Sequence, residues 1–195
     1  MHVSRIGRLI VGIVVTAVGF TLVGPPATAQ ELVHTDQTGD IAKVLRNGTF
    51  LADPGRTYPD IVRTRFAHLD DDLVVRMSFR DLRRRGELNS FSMTVRRPDG
   101  RQRFFAWFGS SEGWGGGELI TNVQRPCDAE ISIDYRDDMV RMVVPRTCLN
   151  DPRWVRMSAE ADLTFQNGTD FFDSATRGRM TNLKVGPFTR RLLPG

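Results

Sequence analysis

Residues 127–148, CDAEISIDYRDDMVRMVVPRTC, contain two short runs in which apolar and polar side chains alternate. The first run covers residues 131–135 and the second covers residues 140–144. Alternation with a period of two is typical of strands that bury one face. Residues 136–139, RDDM, separate the runs and are typical of a turn. The segment therefore predicts an antiparallel β-hairpin.

Both cysteines of the chain, Cys127 and Cys148, stand at the outer ends of this hairpin. If Tyr135 lies opposite Val140, the same register continues outward and sets the two cysteines opposite each other. Cross-strand neighbours have Cα atoms about 4.5–5.5 Å apart, which is within disulfide reach. We expect a structural disulfide that stabilises the fold by roughly 3 kcal/mol in the chain-entropy model. A metal site would need more ligands than two cysteines offer.

The N-terminus indicates export. The chain begins with a short segment that carries two arginines, followed by an apolar run over residues 10–23. The tripeptide Ala27-Thr28-Ala29 comes after this run. That tripeptide matches the small-residue pattern of a signal-peptide cleavage site, and the apolar run is too short to span about 30 Å of hydrocarbon. Residues 1–29 are expected to be a signal peptide, with an uncleaved anchor as the alternative. The mature chain, 30–195, is then secreted and has no transmembrane segment.

The charge balance argues against nucleic acid as a partner. The chain has 27 basic and 23 acidic residues, a net charge of +4. Loss of the two signal-peptide arginines leaves 25 basic residues against 23 acidic ones, so the mature net charge is +2. Nucleic-acid binding leaves a lopsided basic surface. Here acids and bases alternate along the chain.

Short alternating segments, such as residues 73–79 and 91–95, recur between turn signals with no long helical period. This pattern predicts one all-β domain, an antiparallel β-sandwich of jelly-roll or immunoglobulin type with about nine or ten strands. Residues 30–60 are polar and rich in turn formers, so a loop-rich N-terminal extension is expected there. Residues 170–179 are expected to form a helical turn.

No complete catalytic set is present in the sequence. Glu130 and Asp134 would lie about 13 Å apart along a strand, too far for the carboxyl pair of a glycosidase. The mature chain has two histidines, His34 and His68, and no serine in a G-x-S-x-G turn, so a hydrolytic triad is not indicated. His68 is expected to be an exposed residue at a strand end.

Calcium is the one cofactor that the sequence suggests. Acidic residues crowd the turns of the N-terminal third, and calcium takes oxygen ligands from loop carboxylates and carbonyls. The run Asp70-Asp71-Asp72 is the candidate site for a structural calcium ion. Other acids in this region are Asp36, Asp40, Asp53 and Asp60. Solvated turn residues are the alternative, because aspartate is common in turns.

Two further stretches are candidates for ligand binding. The glycine-rich segment Gly109–Gly117 carries Trp114, which could stack on a sugar ring, and Glu112 beside it. The triplet Arg83, Arg84 and Arg85 could bind an anionic wall polymer. The alternatives are that Trp114 folds back over the core and that the arginines form a solvated loop.

Two parts of the chain resemble known groups of proteins. Asp60-Ile61 followed by residues 71–81, DDLVVRMSFRD, resembles the opening strands of DOMON and family 9 carbohydrate-binding-module sandwiches. Residues 144–149, VPRTCL, with residues 152–156, PRWVR, are similar to a group of uncharacterised secreted proteins of high-GC Gram-positive bacteria. The second resemblance implies secretion and the hairpin disulfide. DOMON domains bind haem or sugars, but their haem ligands have no positional match here.

The sequence thus leads us to expect a secreted, non-catalytic binding or structural domain at or near the cell envelope. A cell-wall polymer or glycan is the expected partner. The alternative is an extracellular hydrolase that acts on wall glycans.

Overall fold

The computed structural model describes residues 30–84, 86–110, 117–124, 126–178, 181–182 and 185–195. Within these ranges the regular structure is β-strand, apart from one 3-10 turn at Arg146–Leu149. None of the described residues belongs to a helix long and apolar enough to cross a bilayer. The strands are β1 Gln30–Thr35, β2 Ala42–Val44, β3 Phe50–Ala52, β4 Ile61–His68, β5 Asp72–Phe79, β6 Leu88–Arg96, β7 Gln102–Ser110, β8 Glu118–Thr121, β9 Glu130–Asp134, β10 Met139–Pro145, β11 Arg156–Thr164 and β12 Asp170–Ser174.

These strands form two antiparallel sheets, which confirms the predicted all-β fold. The five-stranded sheet has the order β1-β4-β5-β10-β9, and the seven-stranded sheet has the order β3-β2-β12-β11-β6-β7-β8. The predicted strand number was too low for two reasons. Residues 30–60 contribute β1, β2 and β3 instead of a loop-rich extension, and residues 170–174 form β12 instead of a helical turn. Two of these four strands have three residues each, too few to show a clear alternation.

The core lies between the inward faces of the two sheets. Strand β5 buries each of its predicted apolar residues: Leu73, Val75, Met77 and Phe79. Phe79 meets Phe91 of the opposite sheet edge to face, with ring centroids 5.7 Å apart. The two sheets therefore share one hydrophobic core, as in a β-sandwich.

The hairpin of β9 and β10 forms in a register two residues away from the predicted one. Val140 lies opposite Ile133, so the predicted pairing of Val140 with Tyr135 is wrong. The backbone N–H groups of Arg136 and Asp137 donate to the Asp134 carboxylate at 2.9 and 3.1 Å, and this ends β9 at Asp134. A shift of two residues leaves every side chain on its predicted face, because side chains alternate with a period of two.

The predicted disulfide between Cys127 and Cys148 is confirmed, with Cα atoms 5.4 Å apart. The route by which the cysteines meet differs from the prediction. Cys148 lies in the 3-10 turn Arg146–Leu149 and Cys127 precedes β9, so neither belongs to the β9–β10 ladder. The bond joins the segment before edge strand β9 to the 3-10 turn that follows β10.

Trp107 explains two glycines of the segment Gly109–Gly117. Its ring is buried and stacks on Phe91, with centroids 5.6 Å apart and planes inclined by 17°. A Cβ atom at Gly109 would lie 2.1 Å from Trp107 Cη2, and one at Gly117 would lie 1.9 Å from Trp107 Cε2. The ring therefore occupies the space that side chains would need. Glycine at these two positions serves packing against Trp107.

His68 corrects one of the sequence-based expectations. It is fully buried rather than exposed at a strand end, and its Nδ1 atom lies 3.0 Å from the carbonyl oxygen of Leu192. Leu192 belongs to the C-terminal segment, which pairs with Val155 in a short bridge. Burial lowers the pKa of His68, so the neutral imidazole is favoured. The C-terminal segment covers a position that local sequence alone would leave open to solvent.

Asp162 on β11 should make stability depend on pH. Burial, together with nearby Asp170, raises the pKa of Asp162 to about 7. Between about pH 4 and pH 7 the folded protein then keeps a proton that the unfolded chain has released, so the free energy of unfolding falls as the pH rises. In Asp162→Asn the fall between pH 5 and pH 8 should be smaller by up to about 2.6 kcal/mol, because about two pKa units of the shift lie within this interval. Denaturant unfolding at both pH values measures this difference. The exposed Asp137→Asn is the control, and an equal change in both variants would contradict the assignment.

Candidate functional site

The predicted ligand-binding residues fall into two groups. Glu112, Trp114 and Arg85 lie outside the described residues. Arg83 and Arg84 are described and have partners within the protein. Arg83 Nε donates to the Asp81 carboxylate at 2.5 Å, and the Arg84 guanidinium lies 4.7 Å from the centre of the Tyr135 ring.

The predicted calcium residues Asp70, Asp71 and Asp72 form the turn between β4 and β5. Asp70 and Asp71 are exposed, and Asp72 begins β5. Their backbone carbonyls accept hydrogen bonds: that of Asp72 from Leu69 N–H at 2.8 Å, and that of Asp71 from Arg146 N–H at 2.8 Å. The backbone of this turn thus fixes Leu69 and Arg146 through hydrogen bonds. Among the described residues, the carboxylates close enough to share a metal ion are those of Asp36, Asp40 and Asp173 instead.

An ordered row of arginines crosses the outer face of the five-stranded sheet. Arg65 on β4 lies directly opposite Arg76 on β5, which lies directly opposite Arg141 on β10. Arg63 is two residues before Arg65 on the same face. We call these four residues the arginine strip. Arg63, Arg65 and Arg76 are exposed and Arg141 is half-buried.

The acidic residues that could balance the arginines lie on the two edge strands of this face. Arg65 forms an ion pair with Glu31 on edge strand β1, and none of the ion pairs among the described residues includes Arg63, Arg76 or Arg141. Glu130 and Asp134 lie on the opposite edge strand, β9. Like charges directly opposite each other on neighbouring strands are destabilising. The centre of the face therefore carries positive charge without an ion-pair partner among the described residues.

Two shallow grooves flank the centre of the arginine strip. One, of about 310 Å³, is lined by Arg63, Arg65 and Arg76, by Glu31, which pairs with Arg65, and by Val33, Ser78 and Met139. The other, of about 170 Å³, is lined by Arg65, Arg76 and Arg141. Guanidinium groups thus border both grooves, and an anion in either groove would meet more than one of them.

A second group of charged residues is buried where the two sheets approach each other. Asp36 follows β1, Asp40 precedes β2, Asp60 precedes β4 and Asp173 belongs to β12. We call these four residues the acid cluster. One carboxylate oxygen from each of Asp36, Asp40 and Asp173 lies within 4.8 Å of the other two. Asp53, another acid of the N-terminal third, is not among them and instead pairs with Arg56 at 3.2 Å.

Some oxygens of the acid cluster have hydrogen-bond donors. Asp173 accepts from the backbone N–H groups of Ile61 at 2.5 Å and Ser174 at 2.8 Å. Asp60 accepts from the N–H of Gly39 at 3.0 and 3.1 Å, and Arg80 Nη1 lies 3.6 Å from it. These backbone bonds hold the loops around the cluster in place.

Three buried oxygens of the acid cluster accept no hydrogen bond from any described residue. They are Asp36 Oδ2 and both carboxylate oxygens of Asp40. Asp36 is 8% exposed and Asp40 is 5% exposed. Buried polar atoms are hydrogen-bonded in the great majority of cases, so three neighbouring exceptions need an explanation.

The electrostatics of the cluster disfavour carboxylates without a counter-charge. Burial raises the pKa of Asp36 to about 7, with nearby Asp40 and Asp60 adding to the effect. Burial and Asp60 raise the pKa of Asp40 to about 6. The pKa of Asp173 is raised well above its usual range by burial, and by Asp36 and Asp40. Each carboxylate would be easier to ionise if a cation lay among them.

Sequence reasoning included three of the four cluster residues among the acids of the N-terminal third, but it missed Asp173. Asp40 and Asp60 stand out in the sequence because each directly precedes an isoleucine at the start of a short apolar segment. Asp173 was missed because residues 170–179 were expected to form a helical turn. Its contact with Asp36 and Asp40 depends on the pairing of β12 with β2.

No protein-family model matches the chain, and no curated protein matches it either.

Proposed function

We propose that the protein is an exported, non-catalytic β-sandwich that binds a phosphate-bearing linear polymer of the cell envelope through the arginine strip. The alignment of Arg65, Arg76 and Arg141 on three neighbouring strands supports this proposal. Their mutual repulsion costs stability and has no described counter-charge at the centre of the face. An anion bound between the guanidinium groups would offset that repulsion, so the arrangement is consistent with an anion-binding site.

The shape of the face favours a narrow polymer. Neighbouring strands are about 4.8 Å apart, so the three aligned arginines span roughly 10 Å across the sheet. Glu31 on one edge strand and Glu130 and Asp134 on the other would repel a broad anionic surface such as a membrane. A single extended chain could follow the strip between these edges.

Phosphate is the anion that the arginines suit best. The planar guanidinium donates two parallel hydrogen bonds to a phosphate, a geometry that lysine cannot offer. Each such charge-assisted bond contributes about 1.5–3 kcal/mol. The grooves bordered by Arg65 and Arg76 could hold phosphates on either side of the row.

Binding to a purified wall polymer with phosphodiester links tests the proposal. Arg76→Gln/Arg141→Gln should weaken binding at least about tenfold, because two charge-assisted contacts are lost. The matched control is Arg101→Gln/Arg103→Gln, in the turn before β7 and on β7 of the other sheet, which removes the same charge and should bind like the wild type. Affinity should also fall as salt is added, since exposed charges are screened.

Several results would count against this function. Equal loss in the two double variants would mean that only overall charge matters. Equal retention on a neutral glycan would remove phosphate as the recognised group. Release of soluble products from a wall glycan by the wild-type protein would overturn the non-catalytic assignment and favour the alternative, an extracellular hydrolase.

A further inference from the structure

We propose that Asp36, Asp40 and Asp173 bind one calcium ion, which joins the two sheets of the sandwich. The site is separate from the arginine strip and does not depend on the function proposed for that face. Asp36 extends from β1 in the five-stranded sheet, whereas Asp40 precedes β2 and Asp173 lies on β12 in the seven-stranded sheet. A cation among them would connect strands that share no backbone pairing.

The unpartnered oxygens are the observation that points to a ligand. Both oxygens of Asp40 and Oδ2 of Asp36 are buried without a described hydrogen-bond donor. None of the ion pairs among the described residues includes Asp36, Asp40 or Asp173. Arg80, the cation next to the cluster, pairs with Asp60 instead. A buried anionic group without a partner is costly, and a metal ion is one of the few groups that can offset that cost.

The spacing of the oxygens fits a single calcium shell. Calcium binds oxygen at about 2.3–2.6 Å, so oxygens on opposite sides of one ion are about 4.6–5.2 Å apart. The three ligand atoms of Asp36, Asp40 and Asp173 all lie within 4.8 Å of one another, inside that limit. Backbone carbonyls or water would complete the six to eight oxygens that calcium takes.

The chemistry of the ligands selects calcium over other common ions. The set consists of carboxylate oxygens, with no histidine or cysteine, and zinc prefers nitrogen and sulfur ligands. Magnesium binds oxygen at about 2.0–2.1 Å and gives up its water reluctantly, so a site with several carboxylate ligands at calcium spacing suits it less well. Three carboxylates exceed the charge of one divalent ion by one unit, which leaves the site strongly attractive to calcium.

Asp40 offers a test that separates metal binding from a structural role. Because neither of its oxygens accepts a hydrogen bond from another described residue, Asp40→Asn removes charge repulsion without removing a bond to another part of the chain. The melting temperature of the metal-free variant should equal or exceed that of the metal-free wild type. A residue that served only as a hydrogen-bond acceptor would instead lower it when replaced.

The experiment uses the intact exported protein, freed of metal by chelation and dialysis, with calcium alone as the added ligand. Calorimetric titration should give one calcium ion per chain. At a calcium concentration a hundred times Kd the melting temperature of the wild type should rise by about 5–10 °C. Magnesium at the same concentration should produce a clearly smaller rise. Asp40→Asn should lose the calcium-induced rise, and Asp36→Asn is the second variant, with the same expected loss.

The control is Asp70→Asn/Asp71→Asn in the β4–β5 turn, the calcium site that local sequence suggests. This variant should keep the full calcium response. Absence of stoichiometric calcium binding by the wild type would overturn the proposal, as would an unchanged calcium response in Asp40→Asn. Loss of the response in Asp70→Asn/Asp71→Asn alone would place the ion in the turn and equally overturn it.

Discussion

Replacing Trp107 with alanine is expected to lower the free energy of unfolding by about 3–5 kcal/mol, as aromatic truncations in cores do. The side chain is 4% exposed, stacks on Phe91 and covers Gly109 and Gly117. Its removal would leave a cavity between Phe91 on β6, Gly109 on β7 and Gly117 before β8. Urea unfolding of the wild type and the variant measures the loss.

The same geometry makes a sharper test through Gly117. Gly117→Ala should cost about 1–3 kcal/mol, because the new methyl group overlaps a ring that cannot move away. In a Trp107→Ala background the same substitution should cost almost nothing, since the ring is gone. Gly55→Ala is the matched control, because a Cβ atom there meets no atom within 4 Å. Equal costs of Gly117→Ala in both backgrounds would contradict the packing described here.

Removing the disulfide is expected to cost roughly 3 kcal/mol, because the bond closes a loop with a sequence separation of 21 residues. Cys127→Ala/Cys148→Ala should therefore melt at a lower temperature while its β-type circular dichroism stays largely intact. The effect should be greatest around β9, which pairs only with β10 within the described structure. Hydrogen exchange of the Glu130–Asp134 amides should accelerate more than that of β5.

Reduction of the wild-type protein provides the control for this prediction. Reduced wild type should melt close to the double variant, and the double variant should be insensitive to reductant. Peptide mapping without reduction should show Cys127 linked to Cys148. Two free thiols in the purified protein, or a double variant as stable as the oxidised wild type, would contradict the expected role of the bond.

The acid cluster shows why a site can escape sequence reasoning even when most of its residues are noticed. Asp36, Asp40 and Asp60 stand out as acids beside short apolar segments, but so do many turn aspartates. Asp173 completes the group from far along the chain, through the pairing of β12 with β2. The arginine strip could not be predicted from the sequence for a similar reason. Arg65, Arg76 and Arg141 lie on three strands, and only the registers of β4, β5 and β10 align them.

Local sequence alone determined which residues form the main strands and which face of each strand is buried. Alternation along β5 and β10 identifies the inward residues, and this holds for β10 even though its register with β9 was predicted two residues away. The disulfide followed from two cysteines at the outer ends of a predicted hairpin. The tertiary structure alone decided the strand registers, the burial of His68 beneath Leu192, and the meeting of four aspartates. The physical reason is that a period of two specifies a face, whereas the position of one strand against another depends on packing and turn geometry across the whole domain.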